Sequence, residues 1–156
     1  MNLTLLWLFL HITLLFAAVA VAFGGGFLMR VAFMTGQVGP IRGVGMVVGR
    51  VGPLIPILFL SGGLFGLITA ISFGTNLLSP WLVIAYVLFA IAMYIGVVNN
   101  RAFGEHLGQI VRTAPDGPVT PEIVELFNNR REVAVSIIDY VILAALIFDM
   151  VVKPFS

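Results

Sequence analysis

Residues 3–29 contain no Asp, Glu, Lys or Arg, and the first formally charged side chain in the chain is Arg30. A helix crosses a hydrocarbon core about 30 Å thick with about 20 apolar residues. A run of this length therefore already sets the solvent in which the chain folds. Three more runs follow at about 53–73, 81–98 and 133–152, the last interrupted by Asp139 and Asp149. Water offers no alternative: 60% of the 156 residues are hydrophobic and 10% are charged, against roughly a quarter charged in soluble domains. A soluble core this small would leave too little polar material for its exterior. The expected fold is all-α, a single transmembrane domain over 1–156 built as a four-transmembrane-helix bundle. No basic segment precedes the first run, and it is longer than the apolar part of a secretory signal. It reads as a retained span.

Charge position gives the expected orientation. Arg30, Arg42 and Arg50 fall in the first long connection (30–52), and Arg101, Arg112, Arg130 and Arg131 in the second (99–132). The eighth basic residue, Lys153, is in the tail. Basic residues concentrate in cytoplasmic loops, so both connections are expected in the cytoplasm and both termini on the opposite side. Trp7 and Trp81 then lie near the outer interface, where indole rings favour the headgroup level.

The stretch 36–52 is rich in glycine, but it lacks the Gly-Lys-Ser/Thr of a phosphate loop and the spacing of a dinucleotide fingerprint. It reads as a flexible basic connector on anionic headgroups. In the second connection Phe103, Leu107, Ile110 and Val111 share one helical face, which extends the third span by about three turns. Pro115-Asp116-Gly117-Pro118 is a turn signal. Thr120, Pro121 and Glu122 then read as an N-cap, a first-turn proline and an acid favoured by the helix dipole. The second connection is thus expected to be a short cytoplasmic helical hairpin. Within the spans, Ala18, Ala22 and Gly26 form one small-residue stripe, and Gly62 and Gly66 form a GxxxG. These spacings let helix backbones approach closely.

No cysteine is present, which removes disulfides, thiolate metal sites and cysteine nucleophiles. No serine elbow, metalloprotease, kinase or methionine copper-carrier pattern occurs, so no catalytic or metal residues are assigned. The informative residues are the ionisable ones inside the spans, since a charged Asp, Lys or Arg costs roughly 2.5–3.5 kcal/mol at a helix centre. His11 sits in the outer half of the first span. A neutral imidazole there can ligate haem iron or copper, or hydrogen-bond a neighbouring helix. His106 falls past the opposite end of the third span, too far to share one haem with His11. Asp139, about 9 Å inside the fourth span, is expected to pair with Tyr86, Tyr94, Arg30 or Arg101. Asp149 is expected to form an i,i+4 pair with Lys153.

The closing segment Ile147-Phe148-Asp149-Met150-Val151-Val152-Lys153-Pro154, with His11 followed by Gly24-Gly25-Gly26, resembles a family of small bacterial integral membrane proteins of no assigned activity. The fourth span of that family ends in a Met-Val-x-Lys-Pro-like segment. More distantly, the chain is similar to CopD-type copper-resistance proteins and HemJ-type protoporphyrinogen oxidases. The resemblance covers nearly the whole chain and implies a four-span fold in the bacterial inner membrane. The distant members imply haem or copper at His11.

Taken with the residues, the expected role is a non-catalytic accessory or structural subunit of a larger membrane complex or a homo-oligomer. Its expected partners are the lipid bilayer, other membrane subunits or itself, and no nucleic acid. Haem or copper handling at His11 is the alternative, and ion or proton conduction through Asp139 a weaker one.

Overall fold

In lipid a spanning segment must satisfy its own backbone hydrogen bonds, and the apolar runs do so as helices. The computed structural model describes residues 2–154. The elements are α1 (Leu3–Met34), α2 (Val38–Val51), α3 (Leu54–Ser72), α4 (Pro80–Tyr94), a π-helical segment (Ile95–Asn100), α5 (Arg101–Thr113), α6 (Pro121–Asn128) and α7 (Arg130–Val152). No strand occurs among the described residues; the one bridge pairs Gln37 with Pro118. Four continuous helical stretches are long and apolar enough to cross a membrane: Leu3–Met34, Val38–Ser72, Pro80–Thr113 and Arg130–Val152.

The expectation of a flexible connector after the first span is corrected. Helix α1 runs on to Met34, the chain reverses through Gly36 in the left-handed region (φ 70°), and α2 begins at Val38. Helix α2 then lies antiparallel along α1: a Cβ on Gly25 would touch Val48 at 3.5 Å, and one on Gly45 would touch Met29 at 3.8 Å. Val38, Ile41, Val44 and Val48 recur at helical spacing, and the first two are buried to 0% and 1% exposure. Each interior glycine costs about 1 kcal/mol relative to alanine, whereas burying a Val or Ile gains about 1.5–3 kcal/mol. Tertiary burial wins over local propensity. Through Gly52 and Pro53 the chain passes almost directly into α3, so α1 faces a helical partner along most of its length.

The four spans meet in a bundle core to which each contributes one buried residue: Ala18, Phe59, Ala92 and Leu143. Phe59 and Phe89 meet edge to face with centroids 6.2 Å apart, and Phe23 meets Tyr140 at 4.5 Å. Large side chains such as Phe9, Phe16, Ile57, Leu64 and Phe148 remain exposed on the outside of the bundle, where lipid is their solvent.

A second core lies at the arginine-rich end. Ala32, Val38 and Ile41 from the first hairpin pack with Leu107, Ile110 and Val111 of α5 and with Ile123 and Phe127 of α6. The Phe127 ring stacks on Phe33 at 4.3 Å and meets Phe103 edge-on at 6.1 Å. What reads in sequence as two separate loops is one packed cap. Within it the expected α5–turn–α6 hairpin is present, with Gly117 at φ 136° in the turn. Thr120 occupies the N-cap of α6, but its hydroxyl makes no capping bond and is buried without a partner among the described residues. Only its carbonyl enters the helix, accepting from Val124 N–H at 3.1 Å.

Candidate functional site

Histidine 11 is held in a slot that glycines create. Its Nδ1 lies 2.7 Å from the carbonyl oxygen of Gly62, across the α1–α3 interface. A carbonyl only accepts, so Nδ1 carries the hydrogen and donates it. In the neutral ring this leaves Nε2 with a free lone pair. A Cβ on Gly66 would fall 2.6 Å from Nδ1 and Cε1 of this ring, and one on Gly62 would fall 2.7 Å from Leu15 Cδ2. The GxxxG thus acts inside the molecule, and one of its two places takes an imidazole. Trp7, one turn toward the N-terminus, stacks on Phe65 at 5.6 Å and continues the same interface.

Asp139 is placed differently from expectation. Neither a tyrosine nor an arginine pairs with it; Asn100 donates to it at 3.5 Å, a long bond. Arg101 instead pairs with Glu105 on its own helix at 2.8 Å. One residue earlier, Asn99 donates to Glu132 of α7 at 3.2 Å. Both asparagines close the π-helical segment. A π turn adds a residue per turn and rotates the downstream face, here at the place where the bundle gives way to the cap. A groove of about 250 Å³ lies alongside, lined by Tyr94, Val98, Asn99, Arg131 and Val135 among others. Sequence reading misses this polar seam, whose only sequence signal is the Asn99-Asn100 pair at the end of an apolar run.

Asp149 and Lys153 do not form the expected pair. Lys153 is the C-cap of α7 and adopts the left-handed conformation (φ 48°, ψ 59°). Its Nζ lies 5.3 Å above the Trp81 ring. An i,i+4 pair requires both residues on one helical wall, and Lys153 has left that wall. The cause is legible in the sequence: Pro154 follows, and the residue before a proline is disfavoured in the right-handed helical region. Asp149 is left 3% exposed with no hydrogen-bond partner at either carboxylate oxygen among the described residues.

One further polar centre holds the cap together. Arg42 of α2 donates from Nε to the Val111 carbonyl (3.2 Å) and from Nη2 to the Ala114 carbonyl (2.7 Å). From Nη1 it donates to Asp116 Oδ1 at 2.5 Å. The last carbonyls of a helix lack intrahelical donors, and the guanidinium fork supplies them for α5. Beside it, Val38 N–H donates to Gly117 and Val119 N–H to Gly36, both at 2.9 Å, tying the two turns to each other.

The three ionisable positions in the spans lie in separate surroundings: His11 between α1 and α3, Asp139 beside the π-helical segment, and Asp149 at the end of α7. His106 is exposed on α5, and no group of three or more His, Cys, Asp or Glu residues gathers among the described residues. Neither a protein-family model nor a curated protein nor a solved structure matches the chain.

Proposed function

We propose that this chain is a small multi-pass protein of the bacterial inner membrane that serves as a structural accessory subunit, within a larger membrane assembly or a homo-oligomer. The cap carries this reading. Its core of eight buried residues, from Ala32 to Phe127, makes it a fixed platform. Its exterior presents exposed Arg50, Arg101, Arg112 and Glu122. A rigid, charged face costs little ordering entropy on docking, as preorganised surfaces do. By the positive-inside rule this face is cytoplasmic and the termini are external. The test is extraction from the native membrane in mild detergent, followed by mass spectrometry of whatever migrates with the protein. Co-migration with defined subunits, or a homo-oligomer, supports the reading; a stable lone monomer refutes it.

A second reading, haem or copper handling, rests on His11. Histidines that bind metals commonly donate their other ring N–H to a carbonyl or carboxylate, which fixes tautomer and orientation. The Nδ1–H to Gly62 bond has that form and leaves Nε2 as the donor. The fit is to a single nitrogen ligand: His11 would supply it, Gly62 and Gly66 would hold the ring, and any further ligand would come from outside this pair. Either group, when bound, supplies redox chemistry. A visible Soret band or stoichiometric copper, lost in His11→Ala, supports this reading; a colourless, metal-free native preparation removes it.

A further inference from the structure

A carboxylate without hydrogen bonds or a counter-charge is among the costliest groups to bury. Asp149 is 3% exposed, and neither of its oxygens has a partner among the described residues. It lies in the last turn of α7, beside Met150, which packs on the apolar cluster of Ala70, Trp81 and Leu82 from α3 and α4. The ammonium that local spacing would bring to it, that of Lys153, is held on the face of Trp81 in the same cluster. The arrangement thus contains an acid, a base one turn away, and an aromatic ring that holds the base off.

The other ionisable groups nearby do not compensate the acid. Helix α3 has none. On α4, Tyr86 is 41% exposed and Tyr94 67%. On α1, the His11 ring is spent on Gly62, and on α7 Tyr140 packs on Phe23. Thr69, buried on α3, donates its hydroxyl to its own Phe65 carbonyl at 2.7 Å. A hard metal cation takes six or more oxygen ligands, whereas a proton needs a single oxygen.

We propose that Asp149 is a proton-binding site at the terminal end of the bundle, with Lys153 as its exchanging counter-charge. With the proton on the carboxyl, the group is neutral in its apolar setting and Lys153 rests on Trp81. When the proton leaves to water at the nearby helix end, the carboxylate draws the Lys153 ammonium off the ring into an ion pair. The exchange moves one proton and no other species. The long Lys153 side chain makes this exchange from its left-handed C-cap position, so the backbone that Pro154 keeps off the helix does not have to move.

The full-length Trp7→Phe protein, with Trp81 as its one remaining tryptophan, is reconstituted in phosphatidylcholine vesicles and treated with dicyclohexylcarbodiimide, which reacts with protonated carboxyls in apolar surroundings. Peptide mass spectrometry should find the label on Asp149, decreasing as pH is raised, while Trp81 fluorescence changes over the same pH range. Asp149→Asn should abolish both signals. Lys153→Gln should abolish the fluorescence change while leaving Asp149 reactive. An Asp149 that stays unlabelled at every pH while the protein remains helical overturns the proposal. So does an Asp149–Lys153 amide formed by a water-soluble carbodiimide to the same extent at every pH, since that marks a permanent ion pair.

Discussion

Replacing Arg42 with methionine should loosen the cap without unfolding the spans, and the size of the effect follows from its three bonds. Two go to carbonyls at the end of α5, and the third to Asp116, whose side chain is 83% exposed. An exposed ion pair contributes about 0–1 kcal/mol, so the Asp116 bond is worth a few tenths. A hydrogen bond to a charged group contributes about 1.5–3 kcal/mol when buried, and the Arg42 side chain is 31% exposed. Discounted for that exposure, the two carbonyl bonds together are worth about 2 kcal/mol. This predicts roughly 30-fold faster hydrogen exchange, at tenfold per 1.4 kcal/mol, for the Val38 and Val119 amides that join the two turns. Mass-spectrometric exchange in lipid nanodiscs reads this directly. Arg42→Lys should recover only part of the protection, because a single ammonium cannot span both carbonyls. Asp116→Asn should change exchange less than threefold. If Asp116→Asn loosens the cap as much as Arg42→Met, the ion pair is the fastening and the assignment to helix capping is wrong.

Four other substitutions address the remaining elements. Gly66→Ala puts a methyl 2.6 Å from the His11 ring, so it should cost about 1–3 kcal/mol by overpacking, measured as a lower thermal midpoint in detergent; an unchanged midpoint would show that the ring can move aside freely. Gly39→Ala and Gly43→Ala fall where an added Cβ meets nothing within 4 Å, and each should stabilise the protein by about 0.4–1 kcal/mol, whereas a flexible connector would gain nothing. Because the chain has no cysteine, Glu122→Cys introduces a single thiol on the exposed face of α6. A membrane-impermeant maleimide should label it in inverted vesicles and spare it in intact cells; the reverse pattern would invert the proposed orientation.

The sequence makes the spans legible because lipid imposes one demand, a long apolar run, and that demand is local. Helix α5 is legible for a similar reason, since Phe103, Leu107, Ile110 and Val111 already trace a face. Helix α2 is not, because its glycines signal a loop while the burial that stabilises it involves Leu107, Ile110 and Ile123, well over 50 residues away in the chain. The GxxxG announces a close approach without naming the guest, and a histidine is an unusual one. At Lys153, the reading of charge spacing overlooks a competing signal beside it: Pro154 takes the lysine off the helix and leaves Asp149 without its neighbour.

The two cores are held by different forces. Helix α1, at about 1.5 Å per residue, is about 48 Å long for its 32 residues, well beyond a hydrocarbon core of about 30 Å. If its N-terminal end lies at one interface, the other falls near Gly24–Gly26, and the remaining turns extend past it with α2 alongside. Apolar side chains in the spans gain nothing by leaving lipid for one another, so the bundle depends on close fit, as at Gly62 and Gly66. In the cap, Ile41, Ile123 and Phe127 leave water, so burial itself is the driving force. Added volume should therefore damage the bundle most, and lost volume the cap. Phe127→Ala should cost about 3–5 kcal/mol and release the cap before the spans part. A single concerted transition in which cap and spans melt together would show that the α2–α3 and α4–α5 continuities transmit the loss through the membrane.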